Sequence, residues 1–223
     1  MDLPRGVGQR VGVLGGTFDP VHNGHLALVE AAFAALSLDS LILIPAAVPP
    51  HKRDLRITPF AHRLAMLELA IAGRNGLFVT DIEAERPGPS FSVDTLAALR
   101  SHYGPDLTLF FLVGIDAFLD IQTWKSYRQV PQLADLVVVD RPGARVRELD
   151  AAILSRFPGY GPDTPAGCWR GANGHGVIRP LLMEPVDISS TAVRALIVRG
   201  EAVTHLLPAA VTGYIFRHHL YQK

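Results

Sequence analysis

Arg10-Val11-Gly12-Val13-Leu14-Gly15-Gly16-Thr17-Phe18-Asp19-Pro20-Val21-His22-Asn23-Gly24-His25 reads as a short apolar strand that breaks at two glycines and re-forms as a helix. Leu26, Val29, Phe33 and Leu36 then recur at helical spacing, which puts one apolar stripe on a helix starting near Asn23. The alternation continues along the chain. Strand-length apolar runs occur at Leu41 to Ile44, Leu77 to Val79, Leu107 to Val113 and Leu136 to Val139. Helices are predicted over Pro59 to Ala72, with Pro59 at the first helical position, over Ser92 to Ser101 and over Pro208 to His219. Such repeated strand–helix units predict an α/β fold, a Rossmann-like doubly wound parallel sheet.

The 223 residues, 48% of them hydrophobic, are enough for one full core, so a single domain over 1–223 is expected. It divides into an α/β core to about residue 186 and a small C-terminal helical part. Pro158 to Gly176, dense in Gly and Pro, reads as a loop. Twenty-one basic residues balance twenty-one acidic ones, which argues against nucleic acid or a membrane surface as partner. The lone Cys168 excludes an intrachain disulfide and any multi-cysteine metal site. No apolar leader precedes Arg10 and no run of about 18 apolar residues occurs, so a cytoplasmic protein is expected.

In an open parallel sheet, ligands bind beyond the carboxyl ends of the strands, where strand order reverses. Gly15 and Gly16 lie there, and they let the backbone approach an anion; the helix that follows aims its free N–H groups at the same place. Gly24 keeps its first turn open. His22 and His25, three residues apart at the helix start, are placed to donate to one phosphate. Neither the dinucleotide fingerprint G-x-G-x-x-G nor the P-loop G-K-[S/T] occurs in this turn, so dehydrogenase and P-loop readings lose their support.

Near the other end, Ile188-Ser189-Ser190-Thr191-Ala192-Val193-Arg194 opens a helix with Ser189 or Ser190 as N-cap and Gly200 as its stop. Arg194 then lies within or just past the first turn. A cation is disfavoured there unless an anion is present, which is either a phosphate or a carboxylate such as Glu184 or Asp187. Gly114-Ile115-Asp116 ends the Leu107 run, and Asp116 either binds a ribose or caps the next helix. His51 and Lys52 follow the stiff Pro49-Pro50 and either meet a phosphate or are solvated. Trp124, in the polar stretch Gln122 to Ser126, either stacks on an aromatic ligand or lies half-buried under a loop.

These landmarks together resemble the HxGH nucleotidyltransferases, and among them the bacterial nicotinate-mononucleotide adenylyltransferases. The resemblance rests on G-G-T-F-D-P-V-H-x-G-H, V-P-P-H-K (48–52), P-S-F-S (89–92), G-x-D with a later Trp (Gly114, Asp116, Trp124), R-P-G (141–143) and I-S-S-T-x-x-R, in the family's order. Only the Pro158 to Gly176 stretch matches nothing in that pattern.

The resemblance implies adenylyl transfer from ATP to nicotinate mononucleotide, giving nicotinate adenine dinucleotide and pyrophosphate. His22, His25 and Arg194 would be catalytic. Gly15, Gly16, Thr17, Phe18, Gly24, Gly114, Asp116, Ile188, Ser189, Ser190 and Thr191 would bind ATP. His51, Lys52, Ser92, Trp124 and Lys125 would bind the mononucleotide, with Trp124 stacked on the nicotinate ring. Mg²⁺ would enter with ATP, since no acidic cluster looks like a dedicated cage.

Three other readings remain open: a sister transferase acting on nicotinamide mononucleotide or phosphopantetheine, a silent nucleotide sensor on the same fold, and a synthetase-like fragment. The last lacks the K-M-S-K-S segment. Monomer and homodimer are both open.

Overall fold

The computed structural model describes residues 3–50, 57–140, 146–165, 167–172, 176–184 and 186–222. Strand β1 (Arg10–Gly16) leads through the glycine turn into α1 (Asn23–Leu36) and then β2 (Ser40–Pro45). Helix α2 (Phe60–Ile71), β3 (Leu77–Val79), α3 (Ser92–Tyr103) and β4 (Thr108–Gly114) continue the alternation. Next come the short α4 (Ile115–Leu119) and α5 (Val130–Leu133), then β5 (Asp135–Asp140) and α6 (Val146–Arg156). The chain closes with β6 (Tyr160–Asp163), β7 (Cys168–Gly171), β8 (Val177–Leu182), α7 (Ser190–Val198) and α8 (Ala209–Arg217).

Among the described residues the strands form one sheet in the order β3-β2-β1-β4-β5-β8-β7-β6. The pairs from β3 through β8 are parallel, and β6–β7 and β7–β8 are antiparallel. Chain order reverses between β1 and β4, where Leu14 is level with Leu112, so the ends of both strands open on the same edge.

Alternate residues of each buried strand feed two cores, as the pleat requires. Val11, Val13, Phe111, Val113 and Val138 face one core, with Leu96 and Leu99 of α3 and Ile153 of α6. Leu14, Leu43, Phe110, Leu112 and Val137 face the other, with Leu26, Val29 and Leu36 of α1, Met66 of α2, Val193 of α7 and Ile215 of α8. Helices on both faces bear out the doubly wound α/β expectation. The α1 stripe is shifted slightly: Ala32 is fully buried and Phe33 only partly so.

Pro158 to Gly176 is not simply a loop. It carries the antiparallel pair β6 and β7, which widens the sheet beyond β8. Buried Trp169 packs this hairpin against the core that α3 and α6 share, and its indole N–H donates to Asp150 at 3.0 Å. Strand β8 was hidden by Pro180, a residue that normally demotes a strand. Here β7 pairs only with Val177 and Ile178, so Pro180 needs no N–H on that side. Pro59 proves to be the N-cap of α2 and not its first helical residue.

Gly176, just before β8, is the tightest backbone passage in this region. A Cβ there would lie 2.3 Å from the Pro131 carbonyl oxygen and 3.1 Å from that of Ala134. Backbone cannot yield as a side chain would, so Gly176→Ala should destabilise the protein by about 1–3 kcal/mol. Thermal unfolding of the variant beside the parent checks this, and an unchanged midpoint would contradict it.

Candidate active site

The turn from Thr17 to His22 is where the site begins. Phe18 sits at φ +50°, a left-handed conformation unusual for an aromatic residue, and its ring is buried. A Cβ on Gly16 would stand 3.0 Å from that ring and push it aside, so glycine suits the turn. Three backbone carbonyls of this turn, of Thr17, Asp19 and Pro20, are satisfied from far along the chain. Arg63 of α2, only 2% exposed, donates to Thr17 O at 2.8 Å and to Thr58 O at 2.9 Å. Arg194 of α7 donates to Asp19 O at 2.7 Å, and the Ser190 hydroxyl donates to Pro20 O at 2.9 Å. The buried Asp19 carboxylate accepts from the Tyr221 hydroxyl at 2.7 Å, and burial drives the Tyr221 pKa upward. Desolvation likewise lowers the Arg63 pKa, and the Asp19 charge opposes that shift.

His22 is the N-cap of α1. Its backbone N–H donates to His25 Nδ1 at 3.2 Å, which leaves the proton of a neutral His25 on Nε2. The two rings lie 3.7 Å apart, tilted by 31°. His22 is 6% exposed, its Nδ1 is buried without a hydrogen-bond partner, and burial pushes its pKa down to about 4. Near neutral pH it is therefore an uncharged imidazole. Gly24 is what admits this ring, since a Cβ would stand 3.0 Å from His22 Nδ1.

On the α7 side, Ser189 is the N-cap and its Oγ accepts from Ala192 N at 3.1 Å. Thr191 Oγ1 accepts from Arg194 at 3.3 Å. The anion beside Arg194 is neither Glu184 nor Asp187; its guanidinium meets the Asp19 carbonyl, with the Asp19 carboxylate 4.0 Å away. Ile188 approaches Gly24, so both motifs meet at the start of α1.

Beside the glycine turn, across the sheet edge where β1 and β4 end, lies a cavity of about 390 Å³. Gly15, Gly16, Thr17 and Gly114 line it, together with Phe91, Ser92, Trp124 and Lys125. Trp124 is partly buried, edge-on to Phe111 with ring centroids 6.2 Å apart. Phe91, the N-cap of α3, provides no side-chain cap, so the first N–H groups of that helix are left for a guest. Val48 and Ser90 bind each other through Val48 N to Ser90 Oγ at 3.1 Å and Ser90 N to Val48 O at 2.9 Å, which joins the loop after β2 to the lead into α3.

Gly114, not Asp116, is the N-cap of α4, so the capping role for Asp116 does not hold; Asp116 is exposed in the first turn. His51, Lys52 and the Arg141 to Gly143 turn lie outside the described residues. Among the described residues no three His, Cys, Asp or Glu side chains converge to hold a metal ion, and no helix is long and apolar enough to cross a membrane. Sequence reading missed Arg63, Asp19, Tyr221 and Glu83, the last a buried carboxylate in the cavity wall. Asp19 alone carried a signal, its place inside the turn motif.

Residues 13–196 match the protein family described as cytidylyltransferase-like. The chain belongs to that family. Among its relatives, a probable nicotinate-nucleotide adenylyltransferase of Citrifermentans bemidjiense is 41% identical over 214 residues, covering 96% of this chain and 98% of the relative. A protein of the same name from Desulfatibacillum aliphaticivorans is 39% identical, over 96% of this chain and all of the relative. The fold is similar to that of Plasmodium falciparum nicotinic acid mononucleotide adenylyltransferase complexed with NaAD, with a TM-score of 0.71 at 18% identity over 96% of this chain and 98% of that one.

Because His22 is held neutral, the unfolded chain binds more protons than the folded one between pH 4 and 6.5, and stability rises with pH across that window. On acidification to pH 5 the wild type should lose about 2 kcal/mol more than His22→Gln. Denaturant melts of both at pH 7 and pH 5 check this; parallel losses would refute it. Tyr221→Phe strips the buried Asp19 carboxylate of a donor and should cost about 1–3 kcal/mol, read as a lowered unfolding midpoint that bound ATP does not fully restore.

Proposed function

We propose that the protein transfers the adenylyl group of ATP to nicotinate mononucleotide, releasing pyrophosphate and forming nicotinate adenine dinucleotide, a step of NAD biosynthesis. The observation that carries this reading is one continuous edge with two chemistries. A turn built of backbone dipoles, two histidines and an arginine adjoins an aromatic cavity of mononucleotide size. The names borne by relatives near 40% identity over almost the whole chain point the same way.

In this scheme the phosphate of the mononucleotide attacks the α-phosphorus of ATP in line. A new P–O bond forms, the α–β bridge breaks, and pyrophosphate leaves with the electron pair. With a second pKa of about 6 the attacking phosphate is already mostly dianionic, so no general base is required. Catalysis then consists of positioning and charge stabilisation. His22, a neutral donor, His25 through Nε2–H, the N-termini of α1 and α7 and Arg194 share that work. Arg194 must exchange the Asp19 carbonyl for phosphate oxygens when ATP arrives.

Gly15, Gly16, Thr17, Phe18, Gly24, Gly114, Asp116, Ile188, Ser189, Ser190 and Thr191 surround the ATP in this proposal. Residues 187–223 thereby complete the site within one domain. His51 and Lys52 take the mononucleotide phosphate. Ser92, Trp124 and Lys125 take the pyridine ring and its carboxylate. Magnesium enters as the ATP complex, coordinated by phosphate oxygens and water. Balanced charge and a lone cysteine suit action in the cytoplasm.

Pyrophosphate release with MgATP and either nicotinate mononucleotide or its amide tests the assignment. Faster turnover of the acid is expected; turnover of neither would overturn it. His25→Ala should still bind ATP but turn over about a hundredfold or more slowly. Near-normal turnover would remove that residue from the scheme.

A further inference from the structure

Asp19, Arg63 and Arg194 form a charged cluster at the glycine turn, one carboxylate with two guanidiniums. The three differ in how deeply they are held. Arg63 is 2% exposed, the Asp19 side chain 6% and the Arg194 side chain 32%. The Arg63 guanidinium is pinned by the carbonyls of Thr17 and Thr58 and lies 5.5 Å from the centre of the Phe60 ring. Thr58 also links it to Asp19, because the Thr58 N–H donates to Asp19 Oδ2 at 3.4 Å. The Asp19 charge favours the protonated form of Arg63, which burial alone would disfavour. Tyr221 gives the same carboxylate a hydrogen bond but no charge. Arg194 approaches Asp19 Oδ2 from α7, at 4.0 Å, and another of its nitrogens bonds the exposed Thr191 hydroxyl.

A carboxylate so deeply buried needs one counter-charge, and a second cation beside it is then surplus. We propose that Arg63 is a positioning residue, the resident counter-ion of Asp19, and that it thereby leaves Arg194 free to exchange onto the phosphate chain of a nucleoside triphosphate. This rests on the adenylyl-transfer reading above and names what makes one of its groups available. Arg63 stays in place, since its burial and its bonds to two backbone carbonyls hold it there. Arg194 is the exposed member of the cluster, held by a carbonyl and a hydroxyl, and a polyphosphate offers it more charge than either. Without Arg63, compensation of the Asp19 charge falls to Arg194. Its guanidinium is then drawn from 4.0 Å into a buried ion pair, which an incoming phosphate must first break. Arg63 thus acts on ligand binding through Asp19 and Arg194, without touching the ligand.

The test is calorimetric affinity for MgATP, with kcat and the KM for ATP from pyrophosphate release in the presence of nicotinate mononucleotide, on the full chain. Arg63→Gln removes the counter-ion and should weaken MgATP binding and raise the KM about tenfold, with a smaller fall in kcat. Arg63→Lys keeps the charge but loses the two-carbonyl grip. It should unfold at a lower temperature yet stay within about threefold of wild-type affinity. Adding Asp19→Asn to Arg63→Gln removes the carboxylate that traps Arg194 and should bring MgATP affinity back to within about threefold of wild type. A merely structural Arg63 predicts otherwise: Lys and Gln variants impaired alike, kcat lowered more than KM is raised, and no rescue by Asp19→Asn. That pattern overturns the proposal. Should Arg63→Gln fail to fold, Arg63→Lys and the double variant decide the matter by the same affinity criterion. A wild type that binds MgATP yet releases no pyrophosphate overturns the adenylyl-transfer reading, while the affinity comparison still decides this one; a wild type without affinity for MgATP overturns both.

Discussion

The structure depends on one short turn of backbone that cannot satisfy itself. From Thr17 to His22 the chain leaves its strand, passes through a left-handed aromatic residue and enters a helix, with carbonyls turned inward where no strand can pair with them. Buried carbonyls without partners are costly, and those of Thr17, Asp19 and Pro20 are met by donors from elsewhere. Arg63 comes from α2, Ser190 and Arg194 from α7. Asn23 N–H reaches onward to Leu206 O, and Tyr221 closes on the Asp19 side chain. The C-terminal helices are thus docked as much by polar groups as by Val193, Val211 and Ile215 in the core beneath them.

That arrangement explains the electrostatic character of the site. Most of what the turn presents is dipolar: helix N-termini, a glycine backbone and an imidazole kept uncharged by burial. The positive charge of Arg194 is engaged with a carbonyl and lies beside a carboxylate. A cation held in this way is partly neutralised by the turn it supports.

Much of the architecture was legible in the sequence because it is local. The strand–glycine–helix transition at Gly15, the stripe on α1 and the Ser189 cap each announce themselves within a few residues. Strands β6 to β8 were not legible, since four-residue strands amid Gly and Pro carry no period, and Pro180 masks β8. Pairs such as Arg63 with Thr17 or Tyr221 with Asp19 leave no local trace; only the packed sheet brings them together. Trp124 was legible by incongruity, an indole in a polar stretch, and it does face the cavity.

The Tyr221 hydroxyl joins a carboxylate 202 residues earlier in the chain. Synthesis proceeds from the N-terminus at about 5–20 residues per second, so some 10–40 s separate the making of Asp19 from the making of its partner. Through that interval the Asp19 carboxylate must be met by water, and the glycine turn takes its final packing only after Tyr221 has been made.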